Sequence, residues 1–296
     1  MLKTPHRPVS VACVCGDIGN DAEFLRLTEE AAAQQPDLVV LSEVWQGWGK
    51  NADRAGTLAR MRMTAKKHGV YILHTMICEE DGKSYNTSLI LGRDGETVGR
   101  YDKVYPYWGE LPPNDNVTPG DAVRAIDLDF GRIAVLVCFD ANFPNAWASA
   151  AKQGAELVIF TSAYGAGMQL AAHALNHHYP IVSATLGGYS MAFDIDGQCM
   201  VNVKSSGYYV QFYQLDLDRC IFHENFNQEI LGKLLAESPP RVEVEKHWLA
   251  EQWIIVRSAR AGVSARSVCA EAGMEELRQY KARSRAAIDQ MRGKEI

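Results

Sequence analysis

Several things are scarce or missing in this chain of 296 residues, and each absence narrows what it can be. There is no run of eighteen apolar residues, so no membrane-spanning helix is expected. The opening residues, Met1 to Pro8, lack the apolar stretch of a secretory leader, which favours a cytoplasmic protein. There is no basic excess. Thirty Lys and Arg against thirty-six Asp and Glu give a formal charge of -6, which argues against a general nucleic-acid binder. The seven cysteines are odd in number and scattered, and no CxxC pair suggests zinc or a disulfide framework. HExxH is also absent, and no fixed-period repeat or low-complexity segment occurs. What remains is an ordinary globular composition, 47% hydrophobic and 22% charged, large enough for a full core.

Short apolar runs alternate with amphipathic stretches. Residues 8–15, 37–42, 70–78 and 84–92 read as strands, with Asp94-Gly95 as a turn. Residues 21–35 and 52–69 read as helices. Residues 97–123 are rich in aromatics and prolines and read mostly as loop. The pattern resumes with strands at 132–137 and 156–161 and helices near 144–153 and 168–178. Strands then follow at 180–186, 188–194, 199–204 and 208–215. The alternation predicts an α/β domain, and the late cluster of strands excludes a simple doubly wound sheet. Residues 246–258 are ambiguous. From about 265 the chain is charged and helical in pattern, broken at Gly273. We therefore expect a main domain over 1–245 and a helical extension over 246–296, serving as an oligomerisation or docking arm.

Reactive side chains in α/β proteins concentrate at strand carboxyl ends. Three stand there: Glu43 after DLVVLS, Lys103 in Tyr101-Asp102-Lys103-Val104-Tyr105, and Cys138 after RIAVLV. A thiol needs a base, and a developing oxyanion needs a cation or donor. Glu, Lys and Cys are therefore a sufficient kit for acyl transfer, although spacing alone does not bring them together. His173 and His177, four apart on a helix, lack an evident third ligand, so no metal site is expected. Cys13-Val14-Cys15 lies within one strand and is not read as a redox pair.

The segments DLVVLSEVW, GRYDKVY and GRIAVLVCFDANFPNAW, in that order, resemble the nitrilase superfamily of carbon–nitrogen hydrolases. QGAELVIFTSA at 153–163 and GGYSMAFDIDGQ at 187–198 extend the likeness, which covers roughly residues 8–220. The resemblance implies a four-layer αββα sandwich and a thiol hydrolase without metal or organic cofactor, commonly a homodimer or larger homo-oligomer. It implies that Glu43 is the general base, Cys138 the nucleophile and Lys103 the oxyanion partner. The Phe139 N–H would be a second oxyanion donor, and Glu110 the second glutamate that positions substrate or water. Trp45, Tyr107, Tyr164 and Asn142 are the candidate pocket residues.

Departures from the family pattern shape the expected substrate. Phe139-Asp140 replaces the Trp-Glu common after the cysteine in true nitrilases. Ala141 and Asn142 stand where carbamoyl amino-acid hydrolases often carry arginine. Ser42 replaces a common proline before the glutamate. A small linear amide is the expected substrate, cleaved through a Cys138 thioester. The alternatives are an N-carbamoyl compound, a nitrile, an acyltransferase, or a non-catalytic binding protein on the same fold.

Overall fold

The computed structural model describes residues 7–48 and 52–293. The segment read for a leader therefore lies mostly outside the described residues.

Strand β1 (Pro8–Cys15) leads into helix α1 (Asp21–Ala33) and the fully buried strand β2 (Leu38–Leu41). Asn20 caps α1 by accepting the Glu23 N–H at 3.1 Å, and Asp21 and Glu23 favour its positive end. Helix α2 (Arg54–His68) is capped by Asp53 and closed by Gly69 in the left-handed region, as a helix C-terminus favours. Strands β3 (Tyr71–Glu80), β4 (Lys83–Leu91) and β5 (Thr97–Asp102) follow. Next come β6 (Ala125–Leu128), β7 (Gly131–Val137), α3 (Pro144–Lys152), β8 (Leu157–Ser162) and α4 (Gly167–His177). Strands β9 (Ile181–Thr185), β10 (Tyr189–Phe193), β11 (Cys199–Lys204) and β12 (Tyr209–Asp216) complete the set.

These strands form two six-stranded sheets, ordered β12-β1-β2-β3-β4-β5 and β11-β10-β9-β8-β7-β6. Each has a parallel centre, β1-β2-β3 in one and β7-β8-β9 in the other, with antiparallel flanks. Helices α1 and α2 cover the first sheet, and α3 and α4 cover the second. The result is the four-layer αββα sandwich. Parallel strands covered on both sides are continuously apolar, which is why β2 and β7 were legible. The helix-facing core gathers Phe24, Leu27, Val39, Leu41, Trp45, Met61 and Ile72. The layer between the sheets is more polar. Thr75 of β3 reaches Ser88 at 2.8 Å and Thr161 of β8 at 3.1 Å, so each buried hydroxyl has a partner.

The strand β5 lies in the stretch read as loop. It pairs with β4 through a turn in which Gly95 takes a positive φ of 86°. Its sequence, TVGRYD, is half exposed and lacks a strong apolar alternation. Gly99 lets β5 pass close to Ile126, since a Cβ would come within 2.7 Å of Ile126 Cδ1 and that side chain would have to shift.

The described residues divide into two compact units, one within 9–214 and one of 215–293 with Arg7 and Pro8. This differs from the boundary expected at 245/246, which falls inside a strand. The second unit contains β13 (Cys220–His223), α5 (Glu224–Leu235), β14 (Val242–Trp248), β15 (Trp253–Ser258), α6 (Ala265–Glu271) and α7 (Leu277–Arg292). Its antiparallel sheet, β13-β15-β14, has a core of its own built from Phe222, Leu231, Val242, Val256, Val268 and Met274. The unit is thus mixed α and β, with α5 between its strands and α6 and α7 at its end. Gly273, at φ 87°, separates α6 from α7 where the sequence placed a break.

Candidate functional site

Cys138 follows β7 directly and begins a 3-10 turn over Cys138–Asn142. Its φ is +49°, a conformation that costs a non-glycine residue about 1–3 kcal/mol and persists only when its surroundings impose it. Asp140 does much of the imposing. Its carboxylate accepts the Val137 N–H at 2.8 Å, the Tyr105 N–H at 3.0 Å and the Tyr101 hydroxyl at 2.7 Å. Tyr101 and Tyr105 flank Lys103, so one carboxylate ties the lysine segment to the cysteine turn. The Tyr105 ring also stacks on Phe143 at 3.9 Å.

Glu43 stands two residues beyond β2 and is followed by Val44 at φ +40°, a rare conformation for a β-branched residue. Lys103 follows β5. Its ammonium lies 2.9 Å from Glu43 Oε1 and 2.6 Å from Glu110 Oε2. All three side chains are at least 95% buried. Glu43 Oε2 accepts the Ala163 N–H at 2.9 Å, and Glu110 Oε2 accepts the Tyr107 N–H at 2.6 Å. Asn86, in the middle of β4, donates to Glu43 Oε1 at 2.8 Å and to Glu110 Oε1 at 2.9 Å. Buried charges demand such pairing, since an unpaired one costs several kcal/mol, of order 3–5.

Burial pushes the Cys138 thiol up to about 12, and the Glu43 charge adds to this. Lys103, the Ala163 N–H and the Ser162 hydroxyl pull the other way. The resting thiol is therefore protonated near neutral pH, with a carboxylate close enough to feel. Burial lowers the Lys103 proton affinity, but Glu43, Cys138 and Glu110 outweigh it, so the net shift is upward and the ammonium is permanent. Burial raises Asp140 to about 6, against the hydrogen bonds from Tyr101 and Val137.

The structure thus brings Glu43, Lys103 and Glu110 into direct contact, with Cys138 in their electrostatic reach. Phe139 sits in the first turn of a 3-10 helix, where N–H groups have no partner within the helix. Its ring meets Tyr107 edge-on at 6.0 Å. Tyr107 and Trp108 are exposed. Tyr164 lies close enough to Cys138 for burial and the cysteine's charge to raise its phenol. Asn142 is joined to Tyr164 and Gln169: Gln169 donates to Asn142 Oδ1 at 2.8 Å, and Tyr164 donates to Gln169 Oε1 at 3.2 Å. Trp45 corrects the sequence reading. It is fully buried in the helix-facing core, stacked on Phe24 at 4.7 Å, and its indole donates to His74 at 3.2 Å. Proximity to Glu43 in sequence did not decide which way the ring turns.

Sequence reasoning missed Asn86, Gln169 and the anchoring role of Asp140. Asn86 lies within SYNTSLIL, an ordinary strand pattern, and only the fold sets it against both glutamates. Among the described residues, no three His, Cys, Asp or Glu side chains form a metal-binding group. His173 stacks flat on Trp147 at 4.2 Å and hydrogen-bonds the Ala141 carbonyl at 2.9 Å, so it packs the cysteine turn from behind. Cys13 and Cys15, two apart on β1, share one face and are fully buried, and burial pushes both thiols up.

The carbon-nitrogen hydrolase family model matches residues 19–222, and the chain belongs to that family. It is 28% identical over 165 residues to N-carbamoylputrescine amidase of Arabidopsis thaliana, covering 51% of this chain and 55% of that protein. It is 28% identical over 153 residues to omega-amidase NIT2 of Danio rerio, covering 47% and 55%. The chain spans about half the length of the curated relatives it matches. Its fold superposes on a carbon-nitrogen hydrolase of Helicobacter pylori with a TM-score of 0.64 at 18% identity, over 71% of this chain and 90% of the other.

Proposed function

We propose that the protein hydrolyses the carbon–nitrogen bond of a small linear amide through a thioester on Cys138. The observation that carries this reading is the buried Lys103 ammonium, shared by Glu43 and Glu110 beside a cysteine held in a strained turn. Amidase names among the relatives support it.

In this reading, the Cys138 sulfur attacks the amide carbonyl carbon as Glu43 takes the thiol proton. A thiol raised to about 12 does not ionise on its own near neutral pH, so proton transfer has to accompany attack. The carbonyl oxygen becomes an oxyanion, accepting from Lys103 and the Phe139 N–H, donors fixed in advance in a site of low polarity. Glu43 returns the proton to the nitrogen, the C–N bond breaks, and ammonia or an amine leaves. Water then attacks the thioester carbonyl as Glu43 accepts its proton, with Glu110 holding the water or substrate. Collapse expels the thiolate, Glu43 reprotonates it, and a carboxylic acid departs. Tyr107, Tyr164 and Asn142 border the acyl pocket.

The test is ammonia release from a panel of aliphatic and aromatic amides, nitriles and N-carbamoyl compounds, with Cys138→Ala in parallel. Turnover of an amide that disappears in the variant is the expected result. Turnover confined to nitriles or carbamoyl compounds would replace the substrate class. Turnover that survives in the variant would overturn the nucleophile.

A further inference from the structure

We propose that Asn86 is a positioning residue, whose carboxamide keeps Glu43 and Glu110 oriented about Lys103 by giving one N–H to each. Glu43 Oε1 receives it at 2.8 Å and Glu110 Oε1 at 2.9 Å. The side chain is fully buried. The cluster holds two carboxylates and one ammonium, so Lys103 alone leaves one negative charge uncompensated. A primary amide suits the gap. It presents two donors diverging from one nitrogen, carries no charge, and has no proton to lose near neutral pH. A second lysine would neutralise the base, and a hydroxyl would offer one donor where two are required.

The other end of the side chain points to the same role. Asn86 Oδ1 is buried and has no hydrogen-bond partner among the described residues. A buried carbonyl left unpaired is costly. Turning the amide over would only bring that oxygen against two carboxylates. The orientation is therefore set by the glutamates, which take both N–H groups. Of the charged and titratable groups around the pair, Lys103 beyond β5 interacts with both glutamates, Cys138 after β7 and Tyr164 after β8 feel Glu43, and Asp140 feels Lys103. Asn86, from β4, is the neutral member of this ring.

The inference rests on the hydrolase reading for its kinetic consequence alone, so the decisive readout is independent of turnover. In full-length protein carrying 13C at glutamate carboxyls, the Glu43 and Glu110 signals are assigned by loss in Glu43→Gln and Glu110→Gln. Their titrations are then followed in the parent and in Asn86→Leu, with Asn86→Ser as the variant to use if the leucine does not fold. A hydrogen bond to a charged group corresponds to about ten- to a hundredfold in an equilibrium constant. Both glutamates should become weaker acids by about that factor in a variant that still melts cooperatively. The acid limb of the kcat profile for any amide turned over should move to higher pH, with KM little changed. Unchanged titration of both glutamates in a folded variant would overturn the proposal. Failure of the parent to release ammonia from any amide would instead sink the hydrolase reading, while the titration would still decide the role of Asn86.

Discussion

The sandwich and the C-terminal unit each bury carboxylates, and they hold them differently. In the C-terminal unit, Asp218 accepts the Ser264 hydroxyl and the Ala265 N–H, both at 2.6 Å. Those donors are neutral and sit at the start of α6, where a helix welcomes negative charge. In the sandwich, Glu43 and Glu110 divide one ammonium and one carboxamide between them, next to a cysteine at φ +49° and a valine at φ +40°. Burial of charge is common to both regions. What sets the sandwich apart is two carboxylates crowded on one ammonium, combined with strained backbone at Cys138 and Val44. The comparison teaches that carboxylates crowded on a shared cation beside strained backbone mark a candidate site, while a single carboxylate satisfied at a helix start marks a structural joint.

That contrast can be broken most directly by removing one group from each region. Cys138→Ala or Glu43→Gln should lower amide turnover by roughly 10³-fold or more, because residues that act as one unit fail together. Asp218→Ala should leave turnover unchanged in the same ammonia assay. Stability should divide the other way at the lysine. Lys103→Ala leaves two buried carboxylates facing each other and should cost about 3–5 kcal/mol in urea unfolding. Losing the Asp218 cap should cost about 1–2 kcal/mol in the same measurement. An equal loss for both would mean that the site cluster is no more strained than a helix cap.

A further effect concerns pH. Asp140 has a carboxyl raised to about 6 in the folded protein, chiefly by burial, from an ordinary carboxylate value of 3.8. The folded state therefore binds this proton more tightly than the unfolded chain. Its contribution favours folding at low pH and is lost as pH rises through about 6. Asp140→Asn should flatten the stability profile between about 4 and 6, read by denaturant titration at each pH. Turnover should behave oppositely. Below about 6 the protonated carboxyl accepts less well from Val137 and Tyr105, the turn loosens, and kcat should fall.

The layer scheme was legible because covered parallel strands such as β2 and β7 are uninterrupted apolar runs, and the helices carry caps and closing glycines. Glu43, Lys103 and Cys138 were legible by chemistry and family motif, since each stands just past a strand. Glu110 was legible through the family pattern alone, and the fold supplies its contact with Lys103. Other features depended on which side a residue faces. Trp45 lies beside Glu43 in sequence, yet its ring turns into the core, because the chain after β2 bends sharply at Val44. Asn86 is hidden inside a strand whose polar positions look like any interior hydroxyl layer. The C-terminal sheet was missed although β14, VEVEKHW, alternates apolar and charged residues, with Glu243 paired to Arg257 at 2.7 Å, because the charged helical pattern that follows was extended back over it.

The central claim is that Cys138 carries the acyl group. Mixing the protein with an amide that it turns over, quenching in acid within the first turnovers and weighing the Cys138 peptide would test it most directly. The account predicts an adduct equal to the acyl group on that peptide, absent from Cys138→Ala and accumulating when Glu43 is replaced by Gln after slow attack. Steady ammonia release with an unmodified Cys138 peptide, persisting in Cys138→Ala, would contradict it.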